Sequence, residues 1–377
     1  MKLVKYVMIA SLSLVLVGCS FADEYTANFF QDAEEVLEDM HEADEGEYAS
    51  EIDPKVHTDN SIGEEEQADK ERQEPVAEEG FCLGEMGTCE EVGNRYLEEL
   101  GLYASSILEG PVSDGLTKRQ FYEPIVSYLV DGEQIVDPIP ETDDTAYDTF
   151  IENTAEHERI WEQINAVIPK DKRDMLEVLI FYTDGKMNEL ASVEPTEYDP
   201  TKWMLNIDIK DVDDPYIFIN TIVHEYGHLV TLNDSQIDTI EDTYLATNNP
   251  DQYEALQSSC PTYFTDFGCA RQGSYLHDFY EQFWQGEIED EWLTLDPFNE
   301  WEVYDFFERY YDEFLHDYAA TSIYEDITES WTFFVFSEKL YYPTEVWEEK
   351  VNFFYQYPEL VQLRAEILKN VAELLST

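Results

Sequence analysis

The chain has 377 residues, of which 85 are acidic and 21 basic, giving a formal net charge of -64. That sign excludes nucleic acid as a partner and disfavours adsorption to anionic lipid. With 43% hydrophobic and 14% aromatic residues the chain carries enough apolar surface for a large core, so global disorder is excluded and one main folded domain is expected.

Residues 1–19 read as an export signal. Lys2 and Lys5 precede an apolar run from Val7 to Val17 that is too short to span a bilayer stably. The run ends in Leu16-Val17-Gly18-Cys19, which resembles the lipobox of bacterial lipoproteins and implies a lipid on Cys19, removal of the signal, and a mature protein tethered outside the cytoplasmic membrane. Residues 20–81 follow, dense in Asp and Glu with Lys55, Lys70 and Arg72 between Phe21 and Gly80; self-repulsion makes this an extended tether, with a short amphipathic helix from Phe29 to Met40 conceivable. Folded structure is expected over residues 82–377. Beyond Cys19 four cysteines remain, and in an exported chain their grouping suggests the disulfides Cys82–Cys89 and Cys260–Cys269. A zinc knot is the competing idea, but neither pair has C-x-x-C spacing.

Leu97, Leu100, Ala104, Ile107 and Leu108 fit one helical face. Tyr147, Phe150, Ile151, Ile160, Trp161, Ile164 and Ile168 mark a second helix ended by Pro169. Val178 to Tyr182, closed by Asp184-Gly185, reads as a buried strand. Trp203, Leu205, Ile207 and Ile209 alternate with Asn206, Asp208 and Lys210, as in a half-buried strand whose edge could receive an extended peptide.

Asp213 and Asp214 as caps and Pro215 in the first turn then open a helix through Ile219, Ile222, Val223, Leu229 and Val230. It contains His224-Glu225-Tyr226-Gly227-His228, the HExxH pattern. Two histidines four apart lie on one helical face, so both imidazoles reach a single tetrahedral metal while Glu225 reaches the attacking water. Gly227 costs about 1 kcal/mol against alanine inside a helix, so something is expected to approach its backbone closely.

A catalytic zinc needs a third protein ligand. Metzincin spacing would place a glycine at Thr231 and a histidine at Asp234, and fails at both, leaving Asp234 as a minor aspartate candidate. Downstream, Glu325 and Glu329 share a helical face, so one can bind metal while the other orients a ligand histidine; Asp326 is the remaining acid there. Tyr318, Glu325, Glu329 and the HEYGH helix together resemble the gluzincin peptidases of the HEFGH type, including the catalytic domain of anthrax toxin lethal factor, in which a tyrosine precedes a helix carrying E-x-x-A-E. The resemblance covers the two motifs and the order of elements.

The resemblance implies His224, His228 and Glu325 as ligands of one zinc ion, Glu225 as general base, Glu329 as the carboxylate behind a ligand histidine, and Tyr318 as oxyanion partner. Thr328 stands where that family usually has alanine. The implied fold is α+β and zincin-like, with a mixed sheet and the HExxH helix in an upper lobe and a mostly helical lower lobe. The implied reaction is hydrolysis of peptide or protein substrates by a zinc-activated water. A long insertion bearing Cys260 and Cys269 should border the cleft. Tyr318 also continues the periodic set Val303, Phe307, Tyr310, Tyr311 and Phe314, so it could close that helix instead. His316 is an alternative cationic stabiliser, and His41, His57, His157 and His277 read as solvated or structural. The rival function is a surface lipoprotein that binds a partner around an inert zinc site; an HExxH enzyme acting on a non-peptide bond is the other. Phe279 to Phe314 reads as a substrate groove or as plain core, and its helical spacing favours core. After Glu329, Phe333, Phe336 and Leu340 continue one helix to Tyr341-Tyr342-Pro343, and Val346 to Tyr355 and Leu360 to Leu375 form two more, expected to pack as the lower wall of the cleft.

Overall fold

The structure is a computed structural model. It describes residues 82 and 86–376, apart from 111–121, 186–188, 197, 242–244 and 298. The export signal, Cys19, the acidic tether with its conceivable helix, His41 and His57 lie outside the described residues.

Helix α1 (Cys89–Leu100) begins with a capping box, in which Thr88 accepts from the Glu91 N–H and Glu91 reaches back to the Thr88 N–H. The single apolar face expected from Leu97 to Leu108 is split: Gly101, at φ +55, ends α1 and a separate α2 (Leu102–Leu108) follows. The chain then makes the hairpin β1 (Glu123–Asp131) and β2 (Gln134–Pro140), turning at Gly132 with φ +64. Asp131-Gly132 between two apolar runs is the turn signal in the sequence for this hairpin, which the expected elements do not include. Tyr147, Phe150 and Ile151 belong to short preceding turns, and α3 (Thr154–Val167) carries only the later part of the expected second helix.

β3 (Leu176–Thr183), β4 (Ala191–Pro195) and β5 (Trp203–Asp208) complete a five-stranded mixed sheet of order β2-β1-β3-β5-β4, in which only β3 and β5 run parallel. Two expectations for β5 need correction. It lies between β3 and β4, so β4 and not β5 is the outer strand on that side. Nor is it half-buried: Asn206 and Asp208 are as covered as the apolar positions. Alternation failed as a guide because those polar side chains are satisfied internally. Asp208 accepts from the Asp184 N–H at 2.9 Å and the Lys210 N–H at 2.7 Å, and burial pushes its carboxyl up to about 7.

Helix α4 (Pro215–Leu232) follows, with Asp214 accepting from the N–H groups of Tyr216 and Ile217. Every residue from Phe218 to Leu232 is buried. The long insertion contains β6 (Ile237–Thr239), the helix α5 (Pro250–Ser259), β7 (Phe264–Thr265) and β8 (Gly268–Ala270), the strands forming a small antiparallel sheet. Its Phe267 packs on Trp203 of β5 and on Tyr324, the residue before Glu325. Both expected disulfides are present, Cys82–Cys89 and Cys260–Cys269.

α6 (Glu300–Arg309) ends well before Tyr318, so Tyr318 does not close that helix. Phe279, Phe283, Trp284, Phe306 and Phe314 are core, as helical spacing suggested. α7 (Ile323–Phe336) stops at Ser337 and not at Leu340, since Arg364 donates to the carbonyls of Phe334 and Ser337 at its C-terminal end. α8 (Val346–Phe353) and α9 (Pro358–Leu375) close the chain. α9 packs against α1 and α3 and supports α7 from that end. The architecture is therefore α+β with a mixed sheet.

Candidate metal centre

Burial all round makes α4 a rigid platform, and its period puts His224 and His228 one turn apart with their Nε2 atoms 3.2 Å from each other. α7 brings the third group. Ser322 accepts from the Glu325 N–H at 3.1 Å and starts the helix, which places Glu325 in the first turn, where the helix dipole favours a carboxylate. Glu325 Oε2 lies 3.2 Å from His224 Nε2, and Oε1 lies 3.6 Å from His228 Nε2. One ligand atom from each of His224, His228 and Glu325 falls within 4.8 Å of the others, and all three residues are buried.

These spacings test whether a metal fits. Bonds of about 2.0–2.1 Å at tetrahedral angles put neighbouring ligand atoms about 3.3 Å apart. The two histidine nitrogens stand 3.2 Å apart, near that edge; the carboxylate straddles them, with Oε2 3.2 Å from His224 Nε2 and the other oxygen, Oε1, 3.6 Å from His228 Nε2. Apart from the two rings, neither Glu325 oxygen meets a hydrogen-bond donor among the described residues. A carboxylate 1% exposed is expensive to bury unless positive charge faces it, from a bound cation or from a protonated imidazole. Burial by itself would raise the Glu325 carboxyl; the rings of His228 and His224 outweigh it and hold it at about 2. The group can therefore bind a metal ion.

Behind the ligand atoms, α7 contacts both rings. Glu329 Oε1 lies 2.9 Å from His224 Nδ1, and its Oε2 lies 3.2 Å from His316 Nε2. Burial opposes ionisation of Glu329, but His224 and His316 hold its carboxyl well below the usual range. For His316, burial lowers and Glu329 raises, and Glu329 prevails. Thr328 Oγ1 lies 3.1 Å from His228 Nδ1, a contact the sequence reading missed. Glu225 is buried on the same turn of α4, its Oε1 without a hydrogen-bond partner among the described residues, and burial pushes its carboxyl up to about 7.

Tyr318 is buried with its ring centroid 6.1 Å from that of His224 and stacked against His316. Asp234 is exposed, and Asp326 is committed elsewhere: its Oδ2 takes bonds of 2.7 Å from both Lys350 Nζ and Trp284 Nε1. Neither belongs to the metal group. His157 is buried against Phe181 and bonded to Tyr128, and His277 is buried beside Glu281, so both are structural and neither is solvated.

Gly227 allows all of this. A Cβ there would stand 2.6 Å from Trp331 Cδ1 and 2.8 Å from Thr328 Cγ2. Trp331 also donates through Nε1 to the Val223 carbonyl, pinning α7 to the motif helix. In comparisons with protein-family models, curated proteins and solved structures, the chain matches none.

Proposed function

We propose that the chain is a zinc-dependent endopeptidase of the gluzincin type with a zincin-like arrangement, exported and held at the outer side of a bacterial membrane by a lipid on Cys19. The observation that carries this is the buried trio His224, His228 and Glu325, one ligand atom from each lying within 4.8 Å of the others, with Glu225 on the same helix as the two histidines. Two imidazoles and a carboxylate suit zinc and leave a fourth position for substrate chemistry. Zinc, when bound, supplies Lewis acidity that polarises a peptide carbonyl and makes water nucleophilic near neutral pH.

The remaining chemistry belongs to the chain. Glu225 takes a proton from the attacking water and returns it to the leaving amine. Tyr318, buried beside the His224 ring, donates to the developing oxyanion. Glu329 orients His224 through Nδ1. The edge strand β4 packs beside α4, where an extended peptide could add to the sheet. Export rests on Lys2, Lys5 and the run Val7 to Val17. No described helix is long and apolar enough to cross a membrane.

One observation favours a second reading. His224, His228, Glu225 and Glu325 are all at most 2% exposed, which suits a zinc that only holds the fold of a surface binding module. Metal analysis joined to digestion of a peptide library separates the two. Wild type should carry one zinc and cleave; His224→Ala and Glu325→Ala should lose the metal, and Glu225→Gln should keep it and lose cleavage. Zinc without turnover in wild type supports the binding module, and unchanged metal in Glu325→Ala overturns the ligand set.

A further inference from the structure

α7 supplies more than a ligand. Within two helical turns it presents Glu325 to the metal group, Glu329 to the outer nitrogen of His224 and Thr328 to the outer nitrogen of His228. The first histidine thus has a carboxylate behind it and the second a hydroxyl.

We infer that Thr328 is a positioning residue for the metal centre: its hydroxyl fixes the plane of the His228 ring so that Nε2 points at the ion, and so sets how tightly the ion is held. This rests on the zinc reading above.

The Oγ1 to Nδ1 separation of 3.1 Å is a hydrogen bond between side chains 100 positions apart, and both residues are at most 1% exposed. When the lone pair of Nε2 is used for a cation, the ring proton must sit on Nδ1, which then donates and needs an acceptor. Bulk water cannot be that acceptor at a buried ring, and the Thr328 hydroxyl is within reach. The threonine is itself held in place. Its Cγ2 sits against the Gly227 backbone, and its own carbonyl accepts from Thr332 Oγ1 at 2.9 Å. Threonine in a helix divides between two side-chain rotamers, and the packing of Cγ2 on Gly227 selects the one that turns the hydroxyl toward His228.

Valine copies the shape of threonine and lacks the acceptor; serine keeps the acceptor and lacks the methyl. Zinc affinity of the full chain is measured by competition with a chromophoric chelator for wild type, Thr328→Val and Thr328→Ser, with visible spectra of the cobalt-substituted forms. Outer partners of ligand histidines typically contribute 10–100-fold in metal affinity. Thr328→Val should bind zinc weaker by about that factor and shift the cobalt bands, whereas Thr328→Ser should stay within about threefold of wild type. Melting of the metal-free forms identifies any loss of fold, and the serine variant decides the matter if valine disturbs packing. Wild-type affinity in Thr328→Val, or equal loss in both variants, overturns the inference and leaves the zinc reading standing. A wild type that takes up no zinc removes both.

Discussion

Gly227 and Trp331 touch: the indole Cδ1 occupies the space a Cβ at position 227 would need, at 2.6 Å. The contact joins the helix bearing both histidines to the helix bearing Glu325. It explains why a residue that weakens helices stands in the middle of one, since the helices could not close to this distance over any side chain.

Gly227→Ala should therefore destabilise the protein. In an exposed helix the same change would gain about 1 kcal/mol. Here overpacking of a buried contact costs about 1–3 kcal/mol, because Trp331 is fully buried and its Nε1 is tied to the Val223 carbonyl. Urea unfolding should show a lower midpoint at unchanged slope. A higher midpoint would show that Trp331 can move aside.

Lys350→Met should cost more. Lys350 and Asp326 are both fully buried and 2.7 Å apart, with the ammonium also over the Phe314 ring at 4.1 Å. Removing the cation leaves a buried carboxylate supported by Trp284, and breaking such a pair costs about 3–5 kcal/mol. The double variant Lys350→Met with Asp326→Leu should recover most of the loss, because no charge then remains inside. Equal stability of the single and double variants by urea unfolding would contradict this account.

Acid sensitivity should be traceable in part to His157. Burial holds its pKa below the ordinary value, so between the folded and unfolded values the unfolded chain binds more protons. Stability contributed by the neutral ring is present above about pH 6.5 and is lost as pH falls below it. His157→Gln, which can still bond Tyr128, should flatten the fall in melting temperature between pH 6.5 and 5 relative to wild type. Parallel curves for the two proteins would assign that fall to other groups.

Local relationships were legible from the chain alone. The helix from Pro215, the shared face of His224 and His228, the pairing of neighbouring cysteines and the close approach at Gly227 all follow from periodicity, capping and short spacing. Errors arose where a local pattern met its surroundings. Gly101 breaks a face that the apolar spacing of Leu97 to Leu108 makes continuous, and the alternation of Asn206 and Asp208 reads as a half-buried strand where β5 is covered and lies between β3 and β4.

The amino-acid order by itself determined which residues stand one helical turn apart, because a helix repeats every 3.6 residues whatever surrounds it. Tertiary structure alone decided which of the acids Asp234, Glu325, Asp326 and Glu329 faces the two imidazoles, that Lys350 neutralises Asp326, and that Thr328 meets His228. Those outcomes depend on how α7 docks on α4 across about a hundred intervening residues. Docking is set by side-chain shape at Gly227, Trp331 and Thr328, which no repeat in the sequence encodes.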